Sequence, residues 1–257
     1  MSSFALKIIA MITMLFDHAG NAIYQRLSWM NYIGRFAFPI FAFQVALGYK
    51  YTKNKMKYLV RLAIFSVISQ FAFSFYEINV MHADGKALNV MVTLLLGLVS
   101  IFVCELKVED LDNNKVKNIN KKKNSKTKED KEYKEAIEIL FNTVKVLVIG
   151  IIIWLAEYLK CDYGAYGVAL VLITHILYNK NKYLYGYCAM VMTIVKYTIS
   201  YSHLRMDYFI MLTICGILAI ATTLLYNGKK GPGLKYLFYI MYPLQFIVIS
   251  LLFLNLR

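Results

Sequence analysis

The sequence has few of the residues that cross-link a fold or bind a metal ion. It contains four cysteines, and these are scattered along the chain with no CxxC pair and no pairing pattern, which excludes a disulfide framework. We interpret them as packing residues of membrane helices: Cys104, Cys161, Cys188 and Cys215. The four histidines are also scattered, and no two of them have the spacing of metal ligands. We therefore predict no metal site.

Charged residues are missing from long stretches of the chain. Hydrophobic residues make up 59% of the 257 positions, well above the roughly 45–50% of an ordinary soluble domain. They occur in blocks of roughly 18–22 residues, long enough to cross a hydrocarbon core about 30 Å thick. The blocks are continuously apolar and do not alternate as barrel strands do. The sequence therefore predicts an all-α, polytopic membrane helical bundle.

The apolar blocks predict about nine transmembrane helices. The opening stretch "MSSFALKIIAMITMLF" lacks an A-x-A cleavage site, so we interpret it as a retained first helix rather than a signal peptide. No internal sequence repeat is obvious. The predicted helices cover residues 4–24, 33–50, 58–76, 88–106, 137–159, 164–180, 183–201, 206–226 and 234–254.

The basic residues predict the orientation of these helices. With the N-terminus in the cytoplasm, the segments 50–61, 107–135, 179–183 and 227–235 are cytoplasmic and hold most of the 29 lysines and arginines. This is a strong positive-inside bias, and it places the C-terminus outside. The net charge of +14 thus has a topological explanation, so we expect the lipid bilayer and not nucleic acid as the partner. We predict a multi-pass protein of the cell membrane.

The segment 107–135 is rich in lysine and asparagine and poor in apolar residues. Such a composition predicts a disordered, basic cytoplasmic loop within a single domain that covers residues 1–257. A solvated linker is one interpretation of the loop. Binding of acidic lipid headgroups or of an anionic cofactor is the other.

Asp17 and His18 stand inside the first apolar helix, where ionisable groups are expensive and normally face the interior of the bundle or a wet cavity. Adjacent helical residues point about 100° apart, so each must find a partner elsewhere. In one division of roles Asp17 pairs with a buried arginine or lysine, while His18 stays neutral and serves as a general base. In the other, the two residues only hold helices together.

Other polar groups interrupt the later helices. Arg35 begins the second predicted helix and carries a charge that cannot be removed. Arg61 lies near a cytoplasmic helix end, where its side chain can extend to the interface. Asn89 is placed to cap the fourth helix. The Gly-rich basic stretch 228–233 could hold phosphates or form a plain turn.

Together these segments resemble the TraX family, named for a conjugation protein that acetylates the N-terminus of pilin. The residues that carry the resemblance are "LKIIAMITMLFDHAG", "IGRFAFPIFAFQVALGY", "LNVMVTLLLGL", "DYGAYGV" and "KYLFYIMYPLQ". They cover nearly the whole chain except the 107–135 loop. The family is similar to the wider class of transmembrane acyltransferases, which use a histidine on an early helix. One position departs from the family pattern, because Gln245 stands where a histidine is common.

The resemblance implies an acyltransferase that takes an acetyl or other acyl group from cytoplasmic acetyl-CoA (acyl-CoA). The acceptor would be an amine or hydroxyl on the outer side: a peptide N-terminus, a pilin-like protein, a glycan or a small amine. The implied catalytic residues are His18, Asp17, Arg35 and Asn89, and the residues expected to bind the CoA phosphates are Arg61, Lys53, Lys57, Lys229 and Lys230. A small proton-coupled transporter that uses Asp17 and His18 as a relay is the alternative function. A non-catalytic membrane scaffold is a third.

Overall fold

A computed structural model describes residues 1–25, 27–108, 128–233 and 235–256. The described residues form helices and loops, with no β-strand among them. In chain order the helices are α1 (Ser3–Tyr24), α2 (Trp29–Gly34), α3 (Ala37–Tyr51), α4 (Lys55–Asn79), α5 (Val90–Glu105), α6 (Lys128–Tyr158), α7 (Gly164–Leu177), α8 (Lys182–Tyr201), α9 (Met206–Leu224) and α10 (Lys235–Asn255). The prediction of an all-α membrane bundle is confirmed.

Each of the nine predicted helices corresponds to a helix of the structure, and α2 is an additional helix among the residues that the structure describes. This short helix begins after Ser28, where the side chain of Asn31 accepts a hydrogen bond from the Ser28 backbone N–H at 2.9 Å and so closes a capping box. The predicted helix 33–50 is therefore divided. Its first residues belong to α2, and α3 begins only at Ala37.

The prediction of disorder over the whole 107–135 segment is wrong at its C-terminal end, because α6 already begins at Lys128. The charged residues 128–135 are good helix formers, and they extend the apolar helix that follows. The rest of the predicted loop, residues 109–127, lies outside the described residues, as does Arg26.

Among the described residues, five helices are long and apolar enough to cross a membrane: α1, α4, α6 over Glu132–Tyr158, α9, and α10 over Tyr236–Asn255. The helices α5 and α7 are apolar but shorter. Most of the apolar side chains of α6 are exposed, including Leu147, Ile151 and Trp154. A surface of this kind is stable when it faces lipid, and the chain is accordingly a membrane protein.

The helix ends meet at two opposite faces of the bundle. At one face, here called the N-terminal face, Asn227 N–H donates to Met1 O at 2.9 Å and Lys50 Nζ donates to Asn179 Oδ1 at 2.7 Å. At the other face, here called the distal face, Leu88 N–H donates to Lys160 O at 3.3 Å. The described residues of the basic segments 50–61, 179–183 and 227–235 therefore share a face of the structure. That this face is cytoplasmic stays a prediction.

Helix α3 lies at the centre of the bundle, in contact with α1, α5, α7 and α9. Most of its residues are buried, with Ile40, Ala42 and Phe43 completely so. The α5 and α7 helices approach closely, since a Cβ on Gly97 would lie only 2.7 Å from Val171 Cβ. Small residues at such crossings allow the helix backbones to pack closely. In lipid this van der Waals packing matters because the hydrophobic effect does not drive helices together.

Candidate functional site

Asp17 and Arg35 form a bidentate ion pair near the distal face. Arg35 Nη2 donates to Asp17 Oδ1 at 2.8 Å and to Oδ2 at 2.9 Å, and the two side chains are only 15% and 12% exposed for Asp17 and Arg35, respectively. The pair joins α1 to the junction between α2 and α3. The interpretation that Asp17 pairs with a buried basic residue is confirmed, and Arg35 is that residue.

Neighbouring polar groups complete the network around this pair. Asn31 Nδ2 donates to Asp17 Oδ1 at 3.0 Å and to Asn21 Oδ1 at 2.7 Å. Arg35 Nε donates to Asn31 O at 3.1 Å, and its Nη1 donates to Tyr201 Oη at 3.3 Å. Because the charge of Arg35 is neutralised and its donors are directed, the structure gives it a positioning role on Asp17. Direct stabilisation of an oxyanion by Arg35 stays a prediction.

His18 is half-buried on α1, next to Asp17, and is held by aromatic rings. Its ring centroid lies 4.5 Å from that of Phe246 on α10 and 5.6 Å from that of Tyr76 on α4. Tyr76 Oη also donates to the His18 backbone O at 2.9 Å, which fixes this turn of α1. Among the described residues, none forms a hydrogen bond to the imidazole ring. A lone pair of its neutral form is thus free to accept a proton.

Asn89 is completely buried and caps α5, as its position in the sequence predicted. Its Oδ1 accepts from the Met91 backbone N–H at 2.8 Å. Its Nδ2 donates to Ser66 O at 2.9 Å and to Gln70 Oε1 at 2.7 Å. Both amide hydrogens are therefore engaged, and Asn89 would have to give up one of these bonds to stabilise an oxyanion. The structure gives Asn89 a place between α4 and α5 rather than beside the His18 ring.

A cavity of about 630 Å³ lies among α1, α3, α4, α5 and α10. Lys7, Arg61 and Lys230 are the basic residues of its wall, near the N-terminal face. Its other end reaches Val90 and Met91, in the first turn of α5, which enters the bundle from the distal face. The cavity is thus basic at one end, aromatic and apolar along its length, and extends deep into the bundle.

The structure brings two of the five predicted phosphate-binding residues to this cavity. Arg61 lines it and lies over the rings of Tyr58 and Tyr239, at 5.4 and 5.6 Å from their centroids, and Lys230 lines its mouth. Lys57 lines a neighbouring open groove between α4 and α10 that it shares with Arg61. Lys53 and Lys229 are exposed on the same face but line neither space.

Sequence reasoning missed several residues of the cavity wall. Lys7 is a charged residue within the first apolar helix, and that alone could have marked it. Gln44 is the polar side chain in the middle of α3, and it is 7% exposed. The tyrosines of the wall carry no distinguishing signal, because the chain contains 21 tyrosines.

Comparison with known protein families shows which family this arrangement of helices and polar residues belongs to. Residues 2–253 match the protein family described as TraX protein, which is nearly the whole chain. The chain belongs to the TraX family. No solved structure matches it significantly.

This TraX-family chain is similar to two named proteins and to one uncharacterised protein. A probable fimbrial assembly protein FimC, serogroup H1, of Dichelobacter nodosus is 26% identical over 274 residues, covering 95% of this chain and 92% of the relative. Protein TraX of Escherichia coli (strain K12) is 33% identical over 92 residues, covering 34% of this chain and 37% of the relative. An uncharacterised Rickettsia prowazekii (strain Madrid E) protein is 24% identical over 68% of this chain and 56% of its own length.

In this TraX-family protein, a chain of two aromatic ring contacts connects the cavity wall to His18. Tyr242 lines the cavity, its ring centroid lies 5.2 Å from that of Phe246, and Phe246 in turn contacts His18. His18 itself is not among the described residues of the cavity wall. Gln245, the departure from the family pattern, is 5% exposed, and its Nε2 has no hydrogen-bond partner among the described residues. The cavity wall and the His18 imidazole are thus neighbours through the Phe246 ring, which contacts both Tyr242 and His18.

Proposed function

We propose that this TraX-family protein is a membrane acyltransferase that moves an acetyl or other acyl group from acyl-CoA to an amine or hydroxyl acceptor. The observation that carries the proposal is the cavity, which combines a basic mouth with a deep aromatic and apolar interior leading towards His18. Phosphates of CoA would bind at Lys7, Arg61 and Lys230, and the acyl arm would extend inwards. Acetyl-CoA serves as the donor substrate and is consumed in the reaction.

The depth of the site supports a donor with a long arm. His18 lies eleven residues along α1 from Lys7, a cation of the cavity wall, and a rise of 1.5 Å per residue makes this about 16 Å along the helix axis. A small donor bound at the basic mouth would not reach the imidazole. A thioester at the end of a flexible arm would come much closer.

In the proposed mechanism, the His18 imidazole removes a proton from the neutral amine or the hydroxyl as it attacks the thioester carbonyl. A carbon–nitrogen or carbon–oxygen bond forms, the carbon–sulfur bond breaks, and CoA leaves as a thiolate that takes up the proton from His18. Asp17 and Arg35 hold the turn of α1 that carries the histidine. Their mutual neutralisation keeps a full charge away from the approaching acceptor.

The acceptor would enter from the distal face, and the names of the relatives suggest a pilus or fimbrial component. We propose the cell membrane as the location, with the N-terminal face in the cytoplasm. On the alternative function, a proton-coupled carrier, Asp17 and His18 would form a proton relay. Both oxygens of Asp17 bond to Arg35, so a relay would have to break this ion pair, which favours the acyltransferase.

The test is transfer of radiolabelled acetyl from acetyl-CoA by the purified protein in lipid nanodiscs. His18→Ala should lower the rate by roughly 10²–10⁴ because the general base is lost. His203→Ala is the matched control, since His203 is an exposed histidine in the loop before α9, and it should keep the parent rate. A folded His18→Ala protein with the parent rate would refute the role of His18, and a parent protein without any acetyl transfer or CoA binding would refute the function.

A further inference from the structure

Gln44 is a buried polar side chain in the wall of the cavity, and part of it is fixed. Its Oε1 accepts a hydrogen bond from Ser3 Oγ at 2.6 Å. Ser3 is in turn held at the N-terminal face, because its backbone N–H donates to Lys229 O at 2.9 Å. The amide of Gln44 therefore has a defined orientation before any ligand enters.

The other end of this amide has no partner. Gln44 Nε2 is fully buried and forms no hydrogen bond to any described residue, although the side chain lines a cavity large enough for a ligand. A buried N–H without an acceptor is costly, and it persists where a ligand or an ordered water supplies the acceptor. Since Oε1 is already used, Nε2 is the group that remains for a ligand.

The position of Gln44 indicates which part of a ligand it would meet. Lys7, Arg61 and Lys230 contribute three cations to the lining of this cavity, and Val90, Met91 and Leu94 of α5 form its apolar far end. A ligand that fills both regions has an anionic head and a long arm. The Gln44 amide, bonded to Ser3 beside the basic mouth, would meet the arm where it leaves the phosphates, and a donor amide there recognises a carbonyl oxygen.

We propose that Gln44 is a substrate-binding residue whose Nε2 donates a hydrogen bond to a carbonyl oxygen in the arm of the acyl donor, with Ser3 as the residue that orients it. This inference rests on the proposed function, in which the cavity takes acyl-CoA. The contact distinguishes a donor with an amide-bearing arm from any other anion that could occupy the basic mouth. Gln44 thereby contributes specificity for the arm rather than for the phosphates.

The experiment is calorimetric titration of the full-length protein in nanodiscs with two probes. One probe is acetyl-CoA, and the other is the adenosine bisphosphate part of CoA, which keeps two phosphates but lacks the arm. Gln44→Met, which removes the amide at similar length, should weaken acetyl-CoA binding about tenfold and leave the fragment unchanged. Gln44→Glu, which keeps an acceptor but loses both N–H groups, should weaken acetyl-CoA at least as much. Ser3→Ala should have a smaller effect on the same probe.

The control is Ser100→Ala, because Ser100 is also buried but lies outside the cavity wall and donates to Leu96 O of its own helix, and this variant should bind both probes as the parent does. The inference is overturned if Gln44→Met binds acetyl-CoA as tightly as the parent does, or if it loses both probes to the same extent. In either case, if the parent protein itself binds acetyl-CoA, the proposed function is retained. Failure of the parent protein to bind acetyl-CoA would overturn the proposed function and this inference together.

Discussion

At the scale of single residues, the burial of the Asp17–Arg35 pair decides what it does. Removing two charges from water is costly, and an ion pair repays that cost only with good geometry and further hydrogen bonds. This pair has both, through its bidentate contact and through Asn31 and Tyr201. Loss of either partner should therefore lower the stability of the protein, because the other charge would remain buried.

We expect Arg35→Ala to lower the free energy of unfolding by about 3–5 kcal/mol, because the substitution leaves the Asp17 carboxylate buried and unpaired. The measurement is thermal or chemical unfolding of the purified protein in detergent. Arg205→Ala is the matched control. Arg205 also meets an aspartate, Asp207, at 2.8 Å, but both side chains are exposed, so this change should leave the unfolding transition nearly where it was. Equal effects of the two substitutions would contradict the argument from burial.

At the scale of helices, the approach of α2 to α1 sets the site. Gly34, the last residue of α2, faces Asp17 so closely that a Cβ placed on it would lie 2.4 Å from Asp17 Cβ. This crossing is what allows the chain to turn after α2 and present Arg35 to Asp17. The two helices can approach this closely because Gly34 has no side chain.

Gly34→Ala should separate α1 from α2, lengthen the Asp17–Arg35 contact and lower both stability and acetyl transfer. The overpacking itself should cost about 1–3 kcal/mol. Gly150→Ala in α6 is the control, because no atom lies within 4 Å of the added Cβ, and alanine favours a helix over glycine. Unfolding curves and transfer rates of the two variants are the measurements. Parental values for Gly34→Ala would show that the crossing has room to relax.

At the scale of the whole molecule, the two faces of the bundle differ in role. The N-terminal face carries the described basic segments 50–61, 179–183 and 227–233 and the mouth of the cavity, whereas the Asp17–Arg35 network lies towards the distal face. Such a division suits a protein that receives a donor on one side of the membrane and an acceptor on the other. It depends on the orientation that the positive residues predict.

Labelling of single introduced cysteines tests this orientation. In a variant without its four cysteines, Lys86→Cys on the distal face should react with a membrane-impermeant maleimide in intact cells. Lys53→Cys and Lys180→Cys on the N-terminal face should react only after the cells are opened. All three lysines are exposed in the structure, so burial would not mask them. The reverse pattern would invert the topology and place the cavity mouth outside.

The sequence by itself determined the class of the protein, the approximate positions of nine helices and the family. These follow from the lengths of apolar runs and from local motifs, which are properties of neighbouring residues. It also marked Asp17, His18 and Arg35, because charge within an apolar segment is expensive wherever the chain folds. The sequence did not predict the division of helix 33–50 or the start of α6 at Lys128. Both are features of helix ends, where apolar periodicity gives little information.

Only the tertiary structure decided which of these residues act together. Arg35 meets Asp17 across eighteen positions of the chain, and Gln44 meets Ser3 across forty-one. Asn89 bonds to Ser66 and Gln70 on a neighbouring helix. Lys7 lines the same cavity as Arg61 and Lys230. The physical reason is that hydrogen bonds and cavities form between helices, so they depend on how the helices cross, and a crossing leaves no pattern within any one segment.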